Sequence, residues 1–272
     1  MRIEADLSAA AARERLAAAV REAGRLALGF FRPGAATSAE VKSKIGGSPV
    51  TEADLAADAL LKAHLLEVFP DAGWLSEETA DDAGRLARRA ILVVDPIDGT
   101  RAFMAGDPRW AVSAALVVDG RPVAGVVHAP ALGETYAAAR GEGAALNGAA
   151  IAMPPPDLRR FSAAGPRPVL QAMAERIGAS IDIAPRVPSL AYRFCLVARG
   201  AISIATAAEN SHDWDIAAAD VILEEAGGRL IDASGARFVY NRSQTRRGAL
   251  LAAPEPLAQG LLEAFRAAVG AR

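Results

Sequence analysis

The run Ala90-Ile91-Leu92-Val93-Val94 is apolar without a break, and Asp95-Pro96-Ile97-Asp98-Gly99-Thr100 follows it directly. The run reads as a buried strand, which Pro96 is expected to end. Two carboxylates then leave the strand end, with a glycine and a hydroxyl behind them. Hard oxygen ligands in that place suit Mg²⁺. A Gly99-Thr100 turn that opens a helix offers backbone N–H groups to a phosphate. Thr100 can also bind a water. The competing reading is an ordinary strand-end Asp followed by an Asp-Gly turn.

Around this strand the pattern alternates. Residues 8–31 read as a helix capped by Ser8, with Leu16, Val20, Leu26 and Phe30 on one face. A polar loop follows, Lys42 to Pro49, whose paired glycines Gly46 and Gly47 suggest mobility. Thr51 begins a second helix that runs to Phe69. A short helix is expected from Thr100. Strands are expected over 110–118, 122–128 and 134–139, with Asp119-Gly120 as a hairpin signal. Met153-Pro154-Pro155-Pro156 is stiff and cannot continue a sheet. It divides the chain into an α+β lobe, 1–152, and an α/β lobe, 153–272. In the second lobe helices are expected over 189–199, 216–226 and 255–269, with strands over 201–205, 229–232 and 249–252.

Composition narrows the class. The chain has 272 residues, enough for one large domain or two tightly packed lobes, and 52% are apolar, which supports a substantial core. Much of that share is alanine, which favours closely packed helices. The net charge is −2 and the basic residues are scattered, so no nucleic-acid-binding face is expected. The single cysteine, Cys195, lies in the apolar run Phe194-Cys195-Leu196-Val197 and reads as a buried structural thiol, which fits a reducing cytoplasm. The segment Met1 to Asp6 lacks the pattern of a signal peptide. No uncharged apolar run reaches the ~18 residues that span a membrane.

Three further constellations bear on chemistry. Trp214-Asp215 precedes a helical run ending at Glu225-Ala226-Gly227-Gly228. Asp215 can cap that helix, ligate a metal, or do both with different oxygens, and Trp214 can serve as a hydrophobic staple. Glu77-Glu78 is either a solvated acidic pair or, because Trp74-Leu75 precede it, a pair with Glu77 turned inward. Thr51 to Asp54 reads as a capping box, and Asp54 is also a candidate to orient the Thr100 hydroxyl. His64 and His128 read as structural, and His212 is a candidate to line a site.

Taken in order, these motifs resemble the inositol monophosphatase superfamily. The residues that carry the resemblance are Glu77-Glu78, Asp95 to Thr100, Trp110-Ala111-Val112-Ser113, Gly125 to Pro130, Gly141 to Ala144, Trp214 to Ala217 and Glu225 to Gly228. The resemblance implies a layered αβαβα fold of α+β and α/β parts. It also implies Mg²⁺ dependence with two or three ions, lithium sensitivity and a homodimer. By matching positions, Glu77, Asp95, the Ile97 carbonyl, Asp98 and Asp215 would hold the metals, with Asp95 bridging two of them. Thr100 with Asp54 would activate the attacking water, with Glu77 beside them. Gly99, Thr100 and Asp215 would meet the phosphate, and Lys44 would stand in a loop near it. Two ions ~3.5–4 Å apart can clamp both oxygens of an in-line displacement. Phosphate monoester hydrolysis needs charge neutralisation more than a protein nucleophile, which accords with the lack of an obvious Ser, Cys or His nucleophile.

The expected partner is a small phosphate ester. Inositol monophosphate is the leading substrate, with Glu209 as the candidate for its ring hydroxyls. The sister family of 3′(2′),5′-bisphosphate nucleotidases carries a basic residue before a Phe-Cys-Leu-Val-Ala run. Arg193 stands in that place here, which makes 3′-phosphoadenosine 5′-phosphate the alternative. A family member retained as a regulatory binding protein is the remaining reading.

Overall fold

The computed structural model describes residues 8–44, 47–154, 157 and 159–270. The N-terminal stretch 1–7, Gly46 of the polar loop, and Pro155 and Pro156 of the expected linker lie outside the described residues.

Helix α1 (Ala9–Leu28) starts where the Ser8 hydroxyl accepts from the Ala11 N–H at 3.1 Å, satisfying a donor that the first turn leaves free. Its buried residues include Leu16, Val20, Ala23 and Ala27, one face at helical spacing. The hairpin β1 (Val41–Ser43) and β2 (Pro49–Thr51) leads into α2 (Glu52–Val68). The expected capping box is there: Asp54 takes the Thr51 N–H at 2.8 Å and Thr51 Oγ1 takes the Asp54 N–H at 3.3 Å.

β3 (Gly73–Ser76) pairs in parallel with β4 (Ala90–Asp98). β4 does not end at Pro96. The pairing jumps from Asp95 opposite Ser113 to Asp98 opposite Ala111, so one extra residue is accommodated as a bulge. Proline's missing N–H costs no ladder bond in such a place. Helix α3 (Thr100–Met104) follows. Then come β5 (Ala111–Val118), β6 (Arg121–Ala129), β7 (Glu134–Ala139), β8 (Ala144–Leu146) and β9 (Ala149–Ile151). Seven strands thus form one sheet in sequence order, antiparallel from β4 onward. Asp119 and Gly120 both have positive φ, 51° and 75°, which a tight hairpin requires.

The second sheet is built from β10 (Arg160–Ala164), β11 (Ser180–Ile183), β12 (Ile204–Ala207), β14 (Gly228–Asp232) and β16 (Leu250–Pro254), in the order β11-β10-β12-β16-β14. Between these strands run α4 (Arg167–Ile177), α5 (Leu190–Ala198), the two-residue β13 (Ser211–His212), α6 (Asp213–Glu225) and β15 (Arg246–Arg247), which pairs with β13. The chain closes with α7 (Glu255–Gly270). β12 begins three residues later than the expected 201–205 strand and ends two residues later. β1, β2, β3, β8, β9, β10 and β11, each three to five residues long, and α4 were not among the expected elements; strands this short hold too few residues to establish a period.

The layers are αβαβα. α1 and α2 cover one face of the first sheet, α5 and α6 lie between the sheets, and α4 and α7 cover the outer face of the second. Gly125 of β6 lets α6 approach: a Cβ there would lie 2.6 Å from Val221 Cγ1 and 2.7 Å from the Ala218 carbonyl. The approach brings the first turn of α6 to the level of the β4 strand end. Cys195 is fully buried in this middle layer, and burial pushes its thiol well above the ordinary range. Among the described residues no helix is long and apolar enough to cross a membrane.

Candidate active site

Parallel pairing sets the first part of the site. β3 and β4 end on the same side, and the Glu77 N–H bonds the Val94 carbonyl at 3.3 Å. Glu77 therefore leaves its strand beside Asp95. Asp215 arrives from the first turn of α6. One carboxylate oxygen from each of Glu77, Asp95 and Asp215 lies within 4.8 Å of the other two.

Asp215 is not the helix N-cap. His212 occupies that place, α6 begins at Asp213, and Asp215 is the third residue, taking the His212 N–H on Oδ2 at 2.6 Å. The expected start at Ile216 came three residues late because Asp213 and Trp214 precede the apolar run. Trp214 is no staple: it stacks on the His212 ring at 4.4 Å with the planes 1° apart. Arg247 bonds the fully buried Asp213, and Thr245 bonds His212, so the β13–β15 ribbon clamps this first turn.

Asp98 stands apart from that trio. Its Oδ2 accepts from Ser189 Oγ and from the Ala191 N–H, both at 2.6 Å, at the start of α5. The Leu190 N–H bonds the same carboxylate. Thr100 Oγ1 lies 3.2 Å from Asp54 Oδ1 and 3.1 Å from the Ile97 carbonyl. The capping box and the Thr100 contact coexist because Asp54 uses different oxygens for them. Gly99 has φ 91°, a left-handed turn that a side chain would strain, and it delivers Thr100 to the head of α3.

The cluster is electrostatically unsatisfied. Asp95 is fully buried; its Oδ1 takes the Ile97 N–H at 3.1 Å, and its Oδ2 has no partner. Burial, and then the charges of Glu77, Asp98 and Asp215, push Asp95 well above the ordinary carboxylate range. Burial likewise drives Asp215 well upward, with Asp98 adding to it. Asp98 is pushed up to about 6, chiefly by burial, against the bonds from Ser189 and the α5 backbone. Burial also raises Asp54. An unpaired buried carboxylate oxygen among like charges costs free energy. A divalent cation in this all-oxygen donor set would remove that cost, so these residues fit a metal.

Lys44 supplies a positive charge at the rim. Its ammonium lies 2.8 Å from Glu77 and 2.7 Å from Glu78. Burial pushes Glu78 up to about 7 despite the lysine beside it. Reading the sequence missed Glu78's contact and the roles of Ser189, Asp58 and Arg247, since each meets its partner across a long stretch of chain. His64 pairs with Glu22, and His128 faces Glu134 and Thr135, away from the acids.

A cavity of about 590 Å³ opens from Asp215. Arg167, Arg186, Arg193 and Glu209 line it. Arg193 is largely buried and spends its guanidinium on two carbonyls, Val187 at 2.6 Å and Thr206 at 3.1 Å. Arg167, Arg186 and Glu209 are exposed. Arg167 heads α4, whose first turn carries no acidic residue.

The sequence profile of the inositol monophosphatase family matches residues 11–269. The histidinol-phosphatase of Mycobacterium tuberculosis is 37% identical over 218 residues, covering 75% of this chain and 82% of that protein. The 3′(2′),5′-bisphosphate nucleotidase CysQ of Aggregatibacter actinomycetemcomitans is 31% identical, covering 76% of this chain and 81% of its own. The crystal structure of the extragenic suppressor protein suhB from Bartonella henselae superposes with a TM-score of 0.80 at 26% identity, over 94% of this chain and 98% of that one.

Proposed function

The chain belongs to the inositol monophosphatase family, and we propose that it hydrolyses a small phosphate monoester with Mg²⁺ held by Glu77, Asp95 and Asp215. The observation that carries this reading is the buried, partnerless Asp95 Oδ2 inside an acidic cluster. Asp98 and the Ile97 carbonyl, with Asp95, would hold a second ion. Bound cations would neutralise charge on the attacking and leaving oxygens.

The protein's own groups do the rest. The Thr100 hydroxyl has one proton and two acceptors, Asp54 and the Ile97 carbonyl. When Asp54 takes the proton, the Thr100 oxygen is free to accept one from a water and orient it. Backbone N–H groups at the Gly99-Thr100 turn face the phosphate in this reading. Lys44 must release or share Glu77 when a cation arrives, and its ammonium is then available to the phosphate.

Charge in the cavity orders the substrates. Two exposed arginines, Arg167 and Arg186, on the wall of the cavity that Asp215 also lines favour an ester with a second anionic group. That supports a reading in which 3′-phosphoadenosine 5′-phosphate comes ahead of inositol monophosphate, the substrate favoured by the sequence alone. Inositol monophosphate retains Glu209 as a hydroxyl acceptor on the cavity wall. Histidinol phosphate would bring an ammonium group toward arginines, which disfavours it. The test is phosphate release from the three esters with Mg²⁺ and with EDTA. The highest kcat/KM is expected for the adenosine bisphosphate, and Arg186→Ala should raise its KM while leaving inositol monophosphate unchanged. Arg186 is the cleaner probe, because Arg193→Ala would also free two backbone carbonyls. No Mg²⁺-dependent release from any small phosphate ester would overturn the proposed activity. A preference for histidinol phosphate would overturn the substrate order.

A further inference from the structure

Asp58 is a buried carboxylate that the proposed chemistry does not use. It lies on α2 one turn beyond Asp54, only 7% exposed. Its Oδ1 accepts from Ser76 Oγ at 2.5 Å, and its Oδ2 accepts from Thr79 Oγ1 at 2.6 Å. Ser76 and Thr79 bracket Glu77 and Glu78. The same knot is tied further: Ser76 Oγ takes the Glu78 N–H at 3.3 Å, and the Trp74 indole N–H donates to Thr79 Oγ1 at 3.3 Å. Lys44 closes the far side through both glutamates.

We infer that Asp58 is a positioning residue for the cation site: it fastens both ends of the Ser76–Thr79 turn to α2 and thereby fixes Glu77 against Asp95. The inference rests on the metal reading above. Without Asp58, Glu77 would keep only its backbone bond to Val94 and the Lys44 ammonium, which itself sits on a loop and has to yield to an arriving cation. The turn that follows β3 would then sample orientations in which its carboxylate leaves the cluster. α2 would so position both halves of the chemistry. Asp54 faces Thr100, and four residues later Asp58 faces the turn that carries Glu77. Partners that orient metal ligands typically account for 10–100-fold in metal affinity.

The test is titration of the metal-free protein with Mg²⁺ alone, followed by calorimetry, for wild type and Asp58→Asn. The amide offers one acceptor oxygen in place of two and carries no charge, so either Ser76 or Thr79 loses the acceptor for its hydroxyl proton and the charge-assisted bond with it. The Kd for Mg²⁺ should rise about tenfold. In turnover the half-saturating Mg²⁺ concentration should rise equally, while substrate KM at saturating Mg²⁺ moves less than about twofold. A purely structural Asp58 would lower Tm and leave the Mg²⁺ Kd unchanged, and that result overturns the inference. Should Asp58→Asn fail to fold, Thr79→Val removes one arm from outside the helix. Its Mg²⁺ Kd should rise at least about threefold, and an unchanged Kd would again overturn the inference. A wild-type protein that takes up no Mg²⁺ overturns the metal reading beneath it, and this inference with it. Uptake by wild type with an unchanged Asp58→Asn overturns this inference alone.

Discussion

Asp95→Asn should have opposite effects on the metal-free and the metal-loaded protein. The Asp95 carboxylate lies within 4.8 Å of Glu77 and Asp215 oxygens and has a partnerless Oδ2. At an effective dielectric near 20, each ionised pair at that separation costs roughly 3–4 kcal/mol. Protonation caps the penalty. Keeping one carboxylate ionised at pH 7, against an ordinary value near 3.9, can cost no more than about 4 kcal/mol before a proton binds instead. Asparagine keeps the oxygen that accepts the Ile97 N–H and replaces the repelled oxygen with a donor. The metal-free variant should therefore be about 2–4 kcal/mol more stable than wild type at neutral pH, or roughly 4–7 °C in Tm for a chain of 272 residues. Its carboxyl is raised in the fold. A raised acid costs stability as pH climbs past the unfolded value, so the advantage of asparagine should grow from pH 5 to pH 8. With Mg²⁺ the order reverses, because the proposed bridging charge is gone. Scanning calorimetry in EDTA and in Mg²⁺, with phosphate release on the same samples, measures both. An asparagine variant less stable than wild type in EDTA would refute the electrostatic reasoning. One that keeps the Mg²⁺-induced rise in Tm and the activity would refute the metal assignment.

Thr100→Ala removes the hydroxyl that links Asp54 to the site; kcat should fall roughly 10²-fold with KM little changed, and a loss confined to KM in steady-state kinetics would mean a binding role instead. The rise in Tm caused by Mg²⁺ should shrink as pH falls from 7.5 to 5, because Asp98, raised to about 6 in the metal-free fold, and the likewise raised Asp95 and Asp215 must give up protons to bind a cation; an equal rise at pH 5 and pH 7.5 in differential scanning fluorimetry would count against these acids as ligands.

Local sequence determined what depends on a few neighbouring residues. Thr51 and Asp54 form their capping box because the partners sit three residues apart. Gly99 takes its left-handed turn because only its own backbone must comply. The apolar run before Asp95 made a buried strand, and the matching motifs of a known family named the acids that could hold a metal. Pro96 was misjudged because its cost depends on the opposite strand, where the bulge between Asp95 and Asp98 makes its missing N–H harmless. The site itself came from tertiary structure. Glu77 meets Asp95 through the parallel register of β3 and β4, and Asp215 meets both because Gly125 admits α6 close to β6. Arg247 reaches Asp213 and Asp58 reaches Ser76 and Thr79 across stretches that no local pattern links. Propensity and capping act within about one helical turn. The distances among carboxylates from four separate segments are set by sheet register and by how closely the layers pack, and only the folded chain fixes those.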